Sequence, residues 1–413
     1  MPLPLELPVT TSVRPSACPG LLRIVAALDG GICRVKLDGG SITAQQARAV
    51  ADVAQRYASG VIEATNRGNL QVRGVGPQHR ELIEPLLAVG LGPATAAGDD
   101  VRNLMLSPSA GIDRHMQLDT RPLARQILTS LQTTPRFAEL SAKFAVQLDG
   151  GEALAMLEHP HDLWLSAFDL KGQTLLAFGL AGCPGHDLAL AAVPVEQGHE
   201  LVLAVLNLFL DLARPEYTRM RHLLKEVPIG DFMAQLAQRL SVPLIAQGPW
   251  QRAHAEGLRH IGTYPQREPG RVYVGAVPAL GRLDAVTLAG LAQLAETFGD
   301  GTLRFTPWQS VVLPNVRADA ALTVTGELEA LGLLCSAAQP LAHLLACTGS
   351  SACAKGLADT KQDARQLAAA LVQPHTVHLT GCLRSCAAAH VAPVTLLAVA
   401  PGHYDLYLRA PEQ

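Results

Sequence analysis

Residues 40–75 read GSITAQQARAVADVAQRYASGVIEATNRGNLQVRGV, residues 281–316 read GRLDAVTLAGLAQLAETFGDGTLRFTPWQSVVLPNV, and the two lie over one another without a gap. Gly40 falls on Gly281, Tyr57 on Phe298, Gly60 on Gly301, Thr65 on Thr306 and Val75 on Val316, while Ala44, Ala51 and Ala54 fall on Ala285, Ala292 and Ala295. Such self-similarity marks a repeated structural unit. Each copy opens on a glycine and a short polar stretch, runs through apolar residues spaced near 3.6, and stops at a glycine, which predicts a capped amphipathic helix. Each then enters an alternating or β-branched run broken by a polar bend, which predicts two short strands. The unit is strand, helix, hairpin. LLRIVAAL and ICRVKL ahead of the first copy and RVYVGAV ahead of the second supply further strands, so two related α+β halves are expected to pair into one composite domain.

Between the copies, KFAVQLDG, LWLSAFDLKG and QTLLAFGLAG read as strands, and HELVLAVLNLFLDLA and TRMRHLLKEV as helices, giving a second, mixed α/β region. After the second copy the chain reads as an Ala- and Leu-rich helical stretch holding two cysteines, then a helix over DTKQDARQLAAALV, then PHTVHLTGCLRSCAAAHVAPVTLLAV.

The 413 residues exceed the roughly 250–300 at which a single core stops growing, so several domains are expected. Hydrophobic residues make up 48% and charged residues 17%, yet no apolar run approaches the ~18 residues of a membrane helix. The N-terminal MPLPLELPVTTSVRPSACPG lacks a basic and then apolar leader, so neither a signal nor a transit peptide is expected and a cytoplasmic location follows. The net charge of −3, without a block of like charges, argues against nucleic-acid or membrane-surface partners.

In a reducing compartment the eight cysteines are not expected to form disulfides, and clustered ones point to metal ligands or catalytic thiols. Cys18, Cys33, Cys183 and Cys335 are isolated and read as buried thiols. Cys347-x5-Cys353 in ACTGSSAC and Cys382-x3-Cys386 in TGCLRSCA stand apart from them. Two loops with small residues, here Gly349, Ser350, Ser351 and Gly381, can deliver four thiolates in pairs to an iron–sulfur cluster. Zinc and buried free thiols are the alternatives, although an x5 loop is long for a zinc knuckle.

The spacing C-x5-C followed some thirty residues later by C-x3-C resembles the cluster signature of the sirohaem-dependent sulfite and nitrite reductases, which also carry a duplicated half-domain. The resemblance implies duplicated ferredoxin-like half-domains over 18–84 and 255–320, a first mixed α/β reductase-like domain over 98–228 and a [4Fe-4S]-binding α/β domain over 328–413. It implies that Cys386 bridges the cluster to a sirohaem iron, and that Arg34, Lys36, Arg67, Arg102 and Lys143 hold carboxylates or a small oxyanion. Two departures stand out: Thr65-Asn66-Arg67-Gly68 has Gly where the family pattern has Gln, and Lys143-Phe144-Ala145 stands where that pattern is K-F-K. RPSACPGLLRIVAALDGGICRVKL and LTGCLRSCAAAH resemble more closely the precorrin-3B synthases, the oxygen-dependent branch of the superfamily. That resemblance implies precorrin-3A and O2 as substrates, hydroxylation at C-20 with γ-lactone formation in cobalamin biosynthesis, a mononuclear non-haem iron and an external electron donor. Sirohaem and reduction of sulfite or nitrite belong to the alternative.

Candidate ligands for the second iron are Asp113 and His115 in GIDRHMQ and Glu158, His159, His161 and Asp162 in LEHPHD, though neither stretch forms a facial-triad motif. Asn66, Asn69 and Gln71 extend the polar edge of Arg34, Lys36 and Arg67 and complete the expected substrate-binding set. Trp308 stands opposite Arg67 in the repeat, so the first copy reads as functional and the second as mainly structural. Arg219 and Arg221 either reach a carboxylate or line a solvated helix face. Arg384, inside the second cysteine loop, either raises the cluster potential or faces solvent.

Overall fold

The structure of the chain, a computed structural model, describes residues 18–246, 248–388 and 392–409. It divides into two compact units, one of Met1–Arg23, Gly92–Gly111 and Met116–His254, the other of Ile24–Leu91, Ile112–His115 and Ala255–Gln413. Among the described residues, no helix is long and apolar enough to cross a membrane.

The second unit contains both copies of the repeat, and each copy forms the same elements. Helix Ala44–Tyr57 begins with a capping box, in which Thr43 accepts from the Gln46 amide and Gln46 returns the bond to Thr43, satisfying amides that a helix end leaves open. Helix Ala285–Phe298 is capped by Asp284, which accepts from Thr287 N at 2.7 Å. Both helices bury small or aliphatic faces, Ala47, Val50, Ala51 and Ala54 in one and Leu288, Leu291, Ala292 and Ala295 in the other. The alanines allow the two helices to lie against each other.

Each copy builds a five-stranded antiparallel sheet, but lends its first short strand to the other's. One sheet runs Val25–Ala27, Gly30–Val35, Leu70–Val75, Val61–Ala64 and then Arg282–Asp284 from the second copy. The other runs Gly262–Pro265, Arg271–Ala276, Val311–Arg317, Thr302–Phe305 and then Ser41–Thr43 from the first. Leu283 pairs with Ile62 and Ile42 with Leu303, all four buried. Gly40 makes the exchange possible: it sits at φ +78°, and a Cβ there would come within 2.2 Å of Phe305 O, so the crossing tolerates only glycine. The fold is thus α+β with duplicated ferredoxin-like half-domains forming one composite domain.

The same unit ends in a four-stranded sheet of Leu344–Ala346, Val377–Thr380, Val394–Ala400 and His403–Leu408, the first three parallel and the last antiparallel. Helix Thr360–Ala370 packs on it through Ala364 against Leu344, Val377 and Leu379. The expected helical stretch holding two cysteines is not formed among the described residues. Helix Ala321–Ala330 ends before Cys335, and Cys347 lies beyond strand Leu344–Ala346. Ala and Leu favour helix, but Gly332 at φ +83° and Pro340 interrupt the pattern.

The first unit is a five-stranded mixed sheet, ordered Ala191–Pro194, Gln173–Gly182, His161–Leu170, Val146–Asp149 and Leu104–Leu106, parallel across the last three. Helices Arg121–Thr133, Gly198–Leu212 and Ile229–Ala237 cover a core that includes Ile127, Leu148, Leu163, Phe178, Phe209 and Phe232. The helix expected over TRMRHLLKEV shrinks to Met220–Leu223, because Arg219 is held extended by the buried Asp162 carboxylate. Strand order and sense from Leu104–Leu106 through Gln173–Gly182 repeat those from Leu344–Ala346 through His403–Leu408. The duplication therefore extends beyond the ferredoxin-like halves.

Candidate functional site

The four clustered cysteines leave the carboxyl ends of two neighbouring parallel strands, where open α/β sheets place their ligands. Cys347 directly follows Leu344–Ala346, and Cys382 follows Val377–Thr380 after one glycine. The first loop is folded by its own backbone: Cys353 N donates to Gly349 O at 2.9 Å, and Ser350 N to Ala358 O at 2.8 Å. Leu357 N donates to Gly381 O at 3.0 Å, stitching the first loop to the second. Gly381 N also donates to Cys347 Sγ at 3.2 Å, and Thr360 Oγ1 lies 3.5 Å from the same sulfur. Cys386 is exposed as a residue, yet desolvation of its sulfur and then the negative charge of Cys347, Cys382 and Cys353 push its thiol up from the ordinary value. Cys386 is thus within electrostatic reach of the other three thiols. Such a set stays ionised only with a cation among its members, and a cubane, which is larger than a single ion, holds its thiolates apart at its corners. The donor set fits a [4Fe-4S] cluster. Among the described residues, no three His, Cys, Asp or Glu side chains gather round one ion-sized point.

The bends of both repeat copies reach the second loop. Asn66 Nδ2 donates to Cys386 O at 3.2 Å, and Gln309 Nε2 donates to Ala387 O at 3.1 Å. Both copies therefore hold the second loop, and Gln309 takes the place of Gly68 at the same positive φ, +60° against +66°. Its Trp308, opposite Arg67, stacks on buried His260 with centroids 4.9 Å apart and rings 2° from parallel.

Arg34 pairs with Gln71 across neighbouring strands. With the Gln71 amide oxygen turned toward the guanidinium, Nη2 donates at 2.6 Å. Lys36 is buried and Arg67 half-buried. Asn69 Oδ1 accepts from Leu37 N at 2.8 Å, so this side chain braces the hairpin. Arg102 and Lys143 belong to the other unit: Arg102 is buried, with Nη2 4.0 Å from Asp99, and Lys143 is exposed. Ala145, in place of the family's second lysine, is buried and its N–H donates to Asp162 at 2.9 Å.

Sequence reasoning missed a buried ionic network under the first cysteine loop. Glu63, on strand Val61–Ala64, faces Arg282 at 2.8 Å and Arg73 and Lys361 each at 3.7 Å. It also accepts from Thr348 Oγ1 at 3.2 Å, one residue past Cys347. Burial by itself would raise this carboxyl, but Lys361, Arg73 and Arg282 together hold it down at about 2. Arg73 is fixed in turn by two 2.9 Å bonds to Asp29. The signal in the sequence was a Glu in the otherwise apolar strand VIEA and an Arg in the strand LQVRGV.

Several candidate ligands for a second iron have other partners. Asp162 accepts from Arg219, Ala145 N and Met220 N, which corrects both its reading as a ligand and that of Arg219 as facing a pocket or solvent. Asp113 accepts from His115 N at 2.8 Å, and His161 Nδ1 lies 2.7 Å from His159 O. The expected mononuclear non-haem iron has no ligand grouping among the described residues. Cys33, Cys183 and Cys335 are buried as expected, whereas Cys18 is only half-buried.

Residues 97–244 match the nitrite and sulphite reductase 4Fe-4S domain, and residues 27–89 and 264–331 each match the nitrite/sulfite reductase ferredoxin-like half domain. The chain is 32% identical to a chloroplastic ferredoxin–nitrite reductase of Zea mays, over 87% of its own length and 68% of that enzyme's. The chain belongs to the nitrite and sulphite reductase family. It is 30% identical to a ferredoxin–nitrite reductase of Synechococcus elongatus (89% and 76% covered) and 29% identical to a ferredoxin sulfite reductase of Mycolicibacterium paratuberculosis (88% and 69% covered). The structure of the Mycobacterium tuberculosis NirA protein shares the fold, with a TM-score of 0.79 at 24% identity over 92% of this chain and 74% of that one. As a member of this family the chain is an oxidoreductase.

These relatives overturn the expectation of a precorrin-3B synthase with precorrin-3A and O2 as substrates. They are named as nitrite and sulfite reductases, so the likeness of RPSACPGLLRIVAALDGGICRVKL and LTGCLRSCAAAH to the synthases did not decide the reaction. The 4Fe-4S domain match also needs placing, because 97–244 contains only Cys183 and none of the quartet. The repeated strand order accounts for it. That segment is the copy in which Ser107 follows the first strand and Gly150 the second, where the C-terminal copy has Cys347 and Gly381-Cys382. In place of thiols it carries a buried hydrogen-bonded set, with Arg252 donating to Asp149 at 2.9 Å and Gly150 N to Glu152 at 2.6 Å.

Proposed function

We propose that this chain reduces a small oxyanion, nitrite or sulfite, with electrons from an external carrier of the ferredoxin kind. The reading rests on one observation: four cysteines on the two loops that follow adjacent parallel strands, in a chain aligned over most of its length with ferredoxin–nitrite reductases. Cys347, Cys353, Cys382 and Cys386 are the proposed ligands of a [4Fe-4S] cluster, with Cys386 on the side of a sirohaem. Sirohaem, when bound, supplies the iron centre at which the oxyanion is reduced. Arg34, Lys36 and Arg67 are the proposed partners of the macrocycle carboxylates, for which guanidinium groups offer paired donors. Asn66 and Gln71 orient this polar edge, the first by holding the Cys386 carbonyl and the second by facing Arg34. Arg102 and Lys143 are the remaining candidates for binding an anion. Positive groups fixed in advance are suited to charge that grows during reduction.

The test is oxygen-free turnover with reduced methyl viologen, nitrite and sulfite being offered separately. Viologen oxidation that depends on one of these anions, with ammonium or sulfide as product, is expected. Cluster-loaded protein that leaves viologen reduced with both anions would overturn the proposal.

A further inference from the structure

The Glu63 network deepens this reading and rests on the assignment of a cluster to the four thiols. Two of its cations end on the chain just ahead of a cysteine. Lys361 Nζ donates to Ala346 O at 3.1 Å, beside Cys347, and Arg73 Nη2 donates to Ala352 O at 3.4 Å, beside Cys353. Lys361 also donates to Leu280 O at 2.7 Å and faces Glu63 at 3.7 Å, so three acceptors surround the three donors of an ammonium. Glu63 ties both cations together and reaches the loop directly through Thr348. With Arg282 on Glu63 and Asp29 on Arg73, three cations face two carboxylates. The Lys361, Arg73 and Glu63 side chains are 8%, 4% and 11% exposed, so solvent ions screen them little. A cluster becomes more negative when it takes up an electron, and surplus positive charge nearby favours that state.

We propose that Lys361 and Arg73, held by Glu63, are positioning residues that pin both ends of the Cys347–Cys353 loop and hold up the cluster's reduction potential. They touch neither the oxyanion nor the sulfurs, and act through the carbonyls of Ala346 and Ala352 and through their charge.

The experiment is a dithionite titration of holoprotein prepared without oxygen, followed by visible absorbance and electron paramagnetic resonance, with iron and sulfide counted in each sample. Lys361→Met is expected to move the cluster midpoint to more negative potential. The expected size is roughly a tenfold fall in the reduced-to-oxidised ratio at fixed potential, about 59 mV for a one-electron couple. Glu63→Gln is expected to move it the opposite way, and Lys361→Arg to restore the wild-type value. Should Lys361→Met not accumulate, Arg282→Met removes the same sign of charge from Glu63 at a partly exposed position, and the same direction is expected. Unchanged potentials in loaded variants, or Glu63→Gln shifting with Lys361→Met, would overturn the proposal. Wild-type protein without iron and sulfide would instead fell the cluster assignment beneath it.

Discussion

Replacing Arg73 by Leu should destabilise the second unit without touching a proposed cluster ligand. Arg73 is 3% exposed, donates twice to Asp29 at 2.9 Å, and closes the network to Glu63 and Ala352. Removing one partner of a buried ion pair costs about 3–5 kcal/mol, mostly through the charge left behind. Two features place this case at the low end. Asp29 retains 26% exposure and can rehydrate, and Glu63 keeps Arg282 and Lys361. A loss of about 3 kcal/mol, at ~2–4 °C per kcal/mol for a domain of this size, lowers the melting midpoint of holoprotein by about 6–12 °C. Circular dichroism melts would measure it, with Arg73→Leu/Asp29→Asn recovering roughly 1 kcal/mol because the stranded carboxylate is gone. A midpoint within about 2 °C of wild type would refute the reasoning.

Cys386→Ser should lose iron, sulfide and activity, whereas Cys183→Ser, at a buried thiol pushed up to about 12 by desolvation and then by Asp187, should keep all three; a fully loaded Cys386→Ser protein would remove that ligand. His260, pushed down to about 3 by burial and then by the charge of His343, stays neutral in the fold while the unfolded chain takes up a proton below about pH 6.5. Its contribution is therefore present above that pH and lost on acidification, by about 1.4 kcal/mol per pH unit. Urea midpoints at pH 7 and 5 should show the loss, and His260→Phe should flatten it. Asn66→Ala and Gln309→Ala each remove one bond to the second cysteine loop, worth about 1 kcal/mol; iron release to a chelator should quicken in each and most in the double variant, and equal rates would show that the bends do not brace the loop.

The repeat was legible in the sequence because its two copies share a gapless offset, helix-ending glycines at Gly60 and Gly301, and alanines on the buried helix faces. The strand exchange was not, since Ser41–Thr43 and Arg282–Asp284 are three residues each and carry no periodic signal. The second duplication was hidden for another reason: its strands share order and sense, while the loops that follow them hold thiols in one copy and Ser107 and Glu152 in the other. At the site, the quartet stood out by spacing, but Glu63, Arg73 and Lys361 did not. A charged residue in a short strand looks like ordinary inside–outside alternation until its partners are known. Asn69 shows the converse, a polar residue on the expected edge whose oxygen is committed to Leu37 N. The finer choice of reaction was illegible because C-x5-C with C-x3-C specifies how a cluster is held, not what it reduces.

The most direct test of the central claim is the ultraviolet–visible spectrum of protein purified without oxygen, taken with iron and acid-labile sulfide analysis. Broad iron–sulfur absorption with about four sulfides per chain is expected, together with the sharp visible bands of sirohaem and the additional iron it brings. Colourless protein, or a loaded cluster with no sirohaem bands, would contradict it.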